Sequence, residues 1–132
     1  MKANKAQLLF SNRDFQRLSA LVDTVRNGVS ILLEEELARA TVVPDGSLPA
    51  DVVAMNSLVK FKDLESDQET EVQLVYPHEA DARQGKISVL APVGAALIGL
   101  RIGQSIEWPV PNGRKRRIEV VSVFKEVRDE AS

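Results

Sequence analysis

Cysteine is absent and histidine occurs once, as His78. Disulfides, thiol nucleophiles and thiolate metal sites are therefore excluded together, and a zinc centre would lack its usual three or four protein ligands. The serines have only that one histidine as a partner base, and no G-x-S-x-G turn is present, which removes the common route to a hydrolase. Aromatic residues make up 5%, as four Phe, one Tyr and one Trp, too few and too scattered to line an aromatic pocket. No apolar run approaches the roughly 20 residues of a membrane span, and Leu8-Leu9-Phe10 is shorter than the apolar region of a signal peptide. A cytoplasmic protein with no membrane partner is expected. The net charge of −2 argues against a general nucleic-acid binder, because phosphate neutralisation dominates such affinity, so any association with DNA or RNA should be weak and sequence-independent.

What is present is a chain of 132 residues, 44% hydrophobic, enough for one domain or one domain with a small appendage. Ser11-Asn12-Arg13-Asp14 reads as a capping box, with Asp14 reaching back to the start of the helix. Phe15, Leu18, Leu21, Val22 and Val25 then place one apolar stripe on that helix. Asn27-Gly28 stops it, and a second helix is predicted over about Val29 to Ala40, with Val29, Leu32, Leu33, Leu37 and Ala40 on one face and the Glu34-Glu35-Glu36 triplet solvated. A turn that short implies an antiparallel helical hairpin. Val42 to Ala50, with Pro44, Asp45-Gly46 and Pro49, reads as a linker, giving a hairpin unit over 1–43 and a second unit over 51–132. Strands are predicted at Leu58–Leu64, Glu71–Tyr76, Lys86–Leu90, Ser105–Val110 and Lys115–Glu126, with turns at Glu65-Ser66-Asp67 and Pro111-Asn112-Gly113 and one short helix at Val93–Ile98. The fold class is α+β, with an antiparallel sheet wrapped on that helix.

The punctuation between Leu74 and Gly113 is more specific than a generic β domain needs. Tyr76-Pro77 ends one strand, Ala91-Pro92 follows the next, and a small-residue helix closed by Gly99-Leu100 leads through Gly103 into a strand carrying Ile106 and Trp108. This order resembles the C-terminal domain of the Gre transcription elongation factors. With Asp51-Val52-Val53-Ala54-Met55-Asn56-Ser57 it is most similar to their short relative, the regulator of nucleoside diphosphate kinase family. The resemblance implies an FKBP-like arrangement of the sheet unit. It also implies a non-catalytic transcription regulator that binds RNA polymerase near its secondary channel, competes with Gre-type factors and affects nucleoside diphosphate kinase levels indirectly. In Gre factors an acidic pair at the tip of a long coiled coil helps hold the metal that cleaves backtracked RNA. Here the tip is Arg26, Asn27 and Gly28, with Arg26 where an acid would be needed, so the short hairpin is expected to lack that activity.

The resemblance also points to Pro92, Val93, Leu97, Leu100 and Trp108 as candidate polymerase contacts, each shared with a possible role in the core. Gly94, Gly99 and Gly103 match no phosphate-binding spacing and are read as backbone devices, Gly94 for close approach of the helix to the sheet. Arg114-Lys115-Arg116-Arg117 is read as a solvated hairpin protecting a sheet edge rather than as an RNA contact. No cofactor, metal or small-molecule substrate is expected. The alternatives left open are a peptidyl-prolyl isomerase, which the implied fold would allow but the aromatic content supports poorly, and a simple dimeric interaction module built on the hairpin.

Overall fold

A computed structural model of the chain describes residues 8–25, 28–109 and 115–125, the side chains of Trp108, Pro109 and Lys115 excepted. Strand β1 (Leu9–Ser11) runs directly into helix α1 (Asn12–Thr24), and helix α2 (Gly28–Ala38) returns to strand β2 (Thr41–Val43). The Ser11 side chain caps α1, accepting from the Asp14 N–H at 3.2 Å, as the motif predicts. The reciprocal half of the capping box does not form. The Asp14 carboxylate instead crosses to the sheet unit, where its Oδ2 accepts the Met55 N–H at 3.1 Å. Residues 41–43, of which Val42 and Val43 fall in the stretch read as a linker, form a parallel ladder with β1, in the register Leu9 to Thr41 and Ser11 to Val43. A strand of three residues is too short for its own alternation to be read.

The remaining strands are β3 (Leu58–Asp63), β4 (Glu69–Val75), β5 (Lys86–Ser88), β6 (Ser105–Pro109) and β7 (Lys115–Phe124), with helix α3 (Pro92–Leu97) between β5 and β6. They form one sheet in the order β5-β4-β3-β7-β6. Three of its ladders are antiparallel, but β5 runs parallel to β4, so the sheet is mixed. Tyr76–Gly85 carries the chain back between them through two short turns of 3-10 helix, Pro77–Glu79 and Ala82–Gln84, ending on the left-handed Gly85. Those compact turns take the place of the longer crossover that parallel neighbours usually need. At the β3–β4 turn, Asp63 Oδ1 accepts the Glu65 N–H at 2.9 Å and Asp67 takes a positive φ of 62°. The Pro111-Asn112-Gly113 turn lies outside the described residues.

One hydrophobic cluster joins the two halves of the chain. Leu18 and Val22 of α1, Leu33 and Leu37 of α2, Phe10 of β1 and the preceding Leu8 belong to the same core as Val59, Leu74, Leu97, Ile98 and Ile118. The apolar stripes expected on α1 and α2 are realised at these positions, while Ile31 faces outward. The acidic triplet is not uniformly solvated. Glu36 is only 5% exposed, and its Oε1 accepts from Nη2 of Arg39, just past the end of α2, at 2.6 Å, which keeps a buried carboxylate partnered.

Burial raises the Asp14 carboxyl above its ordinary value of 3.8, the Met55 N–H and the nearby Arg17, Lys125 and Arg13 charges only partly opposing it. The folded chain therefore binds this proton more tightly than the unfolded chain. Its charged form costs stability at neutral pH, and that cost disappears as pH falls through the folded-state value. Asp14→Asn, which keeps an acceptor for Met55 and discards the charge, is expected to match or exceed the native stability at pH 7, the difference shrinking as pH is lowered toward 4. Asp14→Ala strands the Met55 N–H and should cost about 1–3 kcal/mol. Urea unfolding of the three proteins across that range checks both.

Candidate partner-binding surface

The sheet unit presents α3 at its surface by a specific piece of local geometry. Pro92 occupies the first turn of α3, where its missing N–H is no loss and its fixed φ suits the helix. The approach is held by Ser88, whose Oγ accepts the Leu90 N–H at 2.9 Å and whose carbonyl accepts the Ala91 N–H at 2.9 Å. Gly94 then lies against that same strand end. A Cβ at this position would sit 2.3 Å from the Ser88 carbonyl oxygen and 3.1 Å from both Leu74 Cδ1 and Val89 Cα. The close approach predicted for Gly94 is thus a contact that no side chain could share.

This seating divides the candidate contacts. Leu97 and Leu100 are wholly buried. They belong to the core and present no surface to a partner, a correction that follows from their place on the face of α3 and its exit turned toward the sheet. Pro92 is exposed and Val93 half-buried, so the outward corner of α3 is its first turn. Trp108 pairs with Arg116 in the β6–β7 ladder, and its side chain lies outside the described residues. Of the hairpin-tip candidates, Arg26 and Asn27 lie outside the described residues, and Gly28 is the exposed first residue of α2.

Val93 continues into a hollow of about 310 Å³ that it shares with Phe61, Asp63, Gln68, Thr70, Arg116 and Ile118. Phe61 and Ile118 give it an apolar floor. Its rim carries the Asp63–Arg116 ion pair, and Arg116 Nε is buried there without a partner among the described residues. Sequence reading missed this hollow because Asp63 and Arg116 are 53 residues apart and meet only through the β3–β7 register.

The basic run is accordingly not a free edge. β7 is an interior strand, between β3 and β6, and two consecutive side chains of the run find carboxylates, one on each neighbour. Arg116 pairs with Asp63, and Arg117 with Glu107 at 2.9 Å, its cross-strand partner. Arg114 and the side chain of Lys115 lie outside the described residues. His78 is exposed in its 3-10 turn, and the described residues contain no group of three His, Asp or Glu that could hold a metal.

Beyond α3, the Arg101 guanidinium grips Asp51 with two hydrogen bonds, Nε to Oδ2 at 3.2 Å and Nη2 to Oδ1 at 3.1 Å, and these hold the Asp51 carboxyl below its usual value. Both partners are more than a third exposed, so the pair fixes local geometry more than it adds stability. It ties the start of the sheet unit to the turn bearing Ile102, an exposed apolar residue at 43% accessibility. No helix among the described residues is long and apolar enough to cross a membrane.

Comparison with known proteins adds relatives to this geometry. A family model described as the C-terminal part of transcription elongation factors GreA/GreB matches residues 48–125, and one described as the Rnk N-terminus matches residues 7–43. The Regulator of nucleoside diphosphate kinase of Escherichia coli strain K12 is 38% identical over 124 residues, spanning 91% of this chain and 90% of that protein. Transcription elongation factor GreA of Clostridium beijerinckii is 44% identical over 98 residues, 74% of this chain and 61% of that protein. Among solved structures, a prokaryotic transcription elongation factor GreA/GreB from Nitrosomonas europaea superposes with a TM-score of 0.76 at 44% identity, over 91% of this chain and 99% of that one.

Proposed function

The chain belongs to the regulator of nucleoside diphosphate kinase family, relatives of the GreA/GreB factors, and from that premise we propose that it is a non-catalytic transcription regulator that docks on RNA polymerase. The observation that carries this reading is the agreement with GreA/GreB factors in both sequence and fold along residues 48–125. In this reading residues 51–132 are the docking unit and the first turn of α3, Pro92 and Val93, is the contact, with the adjoining hollow receiving a side chain of the partner. The site is near the secondary channel, where the protein competes with Gre-type factors. Any effect on nucleoside diphosphate kinase is a consequence of altered transcription, and the protein works in the cytoplasm.

In this reading the hairpin is too short to bring a cleaving tip to the transcript. Helix α1 has 13 residues and α2 has 11, so the hairpin arms extend only about 20 Å at ~1.5 Å per residue. The tip carries Arg26 rather than an acid, and a cation there would repel the metal ion that a cleaving tip must hold. Stalled, backtracked elongation complexes incubated with excess protein should therefore keep their transcripts at the intrinsic rate of shortening. Metal-dependent acceleration above that rate would overturn the non-catalytic reading.

A further inference from the structure

Between the two halves of the chain lies a cleft of about 690 Å³ that shares no lining residue with the α3 surface. Arg13 and Arg17 reach it from α1, four residues apart and so on one helix face. Tyr76 reaches it from the end of β4 and Lys125 from the end of β7. The cleft is unbalanced in hydrogen-bonding terms. Its two carboxylates are already engaged by backbone amides, Asp14 by the Met55 N–H at 3.1 Å and Asp45 by the Arg13 N–H at 2.8 Å. Its donors are not matched in the same way. The Lys125 ammonium reaches only the Pro49 carbonyl among the described residues, at the long distance of 3.5 Å. The Tyr76 hydroxyl is buried beside the Arg17 side chain, which can only donate to it, so its own proton finds no acceptor among the described residues.

At Lys125 the electrostatics point the same way, whereas the Asp14 charge beside Tyr76 opposes an anion and must be outweighed by the three cations. Burial holds the Lys125 ammonium below its usual value despite Asp14 and Asp51 nearby, the mark of a cation short of compensation. Burial first, and the Asp14 charge second, push the Tyr76 hydroxyl up to about 12, so it remains a donor at any physiological pH. The missing component is an acceptor-rich anion, and donors arriving from three different elements suit a tetrahedral one better than a flat carboxylate.

Beyond Tyr76 and Arg17, which line both spaces, the cleft adjoins a groove of about 440 Å³ walled by Ala20, Leu21 and Pro77, with His78 at its edge. We propose that cleft and groove together bind a small phosphate monoester, its phosphate held by Arg13, Arg17, Lys125 and the Tyr76 hydroxyl and its apolar body lying along Leu21 and Pro77. Such a ligand bridges α1 to the ends of β4 and β7 and so fixes the hairpin against the sheet. The lining residues lie between positions 11 and 125, which is why no contiguous phosphate-binding motif announces them.

The test is a nuclear magnetic resonance titration of the isotope-labelled full chain with phenyl phosphate and, separately, inorganic phosphate. Saturable shifts are expected at the amides of Met55, Asn56 and Tyr76, with phenyl phosphate binding more tightly because it also fills the groove. Arg17→Gln and Lys125→Gln should each weaken binding about tenfold, the loss expected for one charge-assisted hydrogen bond, whereas Arg83→Gln, an exposed cation elsewhere, should change nothing. Amide shifts of the unliganded variants that match the wild type would show that they remain folded. Shifts that never saturate, or that weaken equally with Arg83→Gln, would mean diffuse surface charge and overturn the proposal.

Discussion

Gly94→Ala is expected to lower the unfolding free energy by about 3 kcal/mol or more, the upper part of the range for overpacked cores. The added methyl would lie 2.3 Å from the Ser88 carbonyl oxygen, well inside any contact a real Cβ makes. That oxygen cannot step aside, because it accepts the Ala91 N–H that aligns the start of α3. The substitution must therefore lift α3 off β4 or break the turn that positions Pro92. A shift of the urea midpoint to lower concentration measures the effect. Gly28→Ala supplies the control, since a Cβ there meets nothing within 4 Å and the position opens a helix; it should be neutral or slightly stabilising. Equal, small effects from both substitutions would show that α3 is not seated as described.

Phe10→Ala should cost about 3–5 kcal/mol, in line with other large-to-small changes at fully packed aromatic positions. Phe10 is 2% exposed, and its ring edge comes within 3.2 Å of where a Cβ would stand on Gly99, the left-handed residue after α3. It therefore ties β1 to the sheet unit, and its loss should be felt by both halves. Trp108, the only tryptophan, belongs to β6, whereas far-ultraviolet circular dichroism is weighted toward α1 and α2. The two signals should move together to the new midpoint. Two separated transitions, with only the helical one displaced, would show that the hairpin and the sheet do not share a cooperative core. Phe124→Ala, at a position 62% exposed, should stay within about 0.5 kcal/mol of the native protein.

The elements that can be read from sequence here are those whose signals are local. Ser11 and the spacing of Leu18 and Val22 specify α1, and the alternations Val59/Phe61 and Val72/Leu74 specify a sheet with one buried face. The tight Gly94 and the left-handed Gly99 and Gly103 are equally legible, because each answers a geometric need that only glycine meets without strain. What escapes is decided at long range. The parallel pairing of β1 with β2 depends on residues 9–11 finding residues 41–43, and the parallel placement of β5 depends on how two 3-10 turns fold back. Asp14 looks like half of a capping box, yet its carboxylate serves Met55, 41 residues away. Of the proposed contact surface, the helix α3 itself was legible from its Pro and Gly punctuation, while its role as a contact came from the resemblance to Gre factors. The split between buried Leu97 and exposed Pro92 was not, since a six-residue helix is too short for its apolar face to be read from composition.

The proposed docking of the α3 surface on RNA polymerase is tested most directly by a binding measurement on core polymerase with a Gre factor as competitor. Wild-type protein should bind saturably and be displaced by the competitor. Pro92→Glu, which adds a charge at the exposed first turn of α3 without entering the core, should weaken binding at least about tenfold while unfolding at the native urea midpoint. Failure of the wild-type protein to bind, or binding that neither the competitor nor Pro92→Glu reduces, would contradict the account.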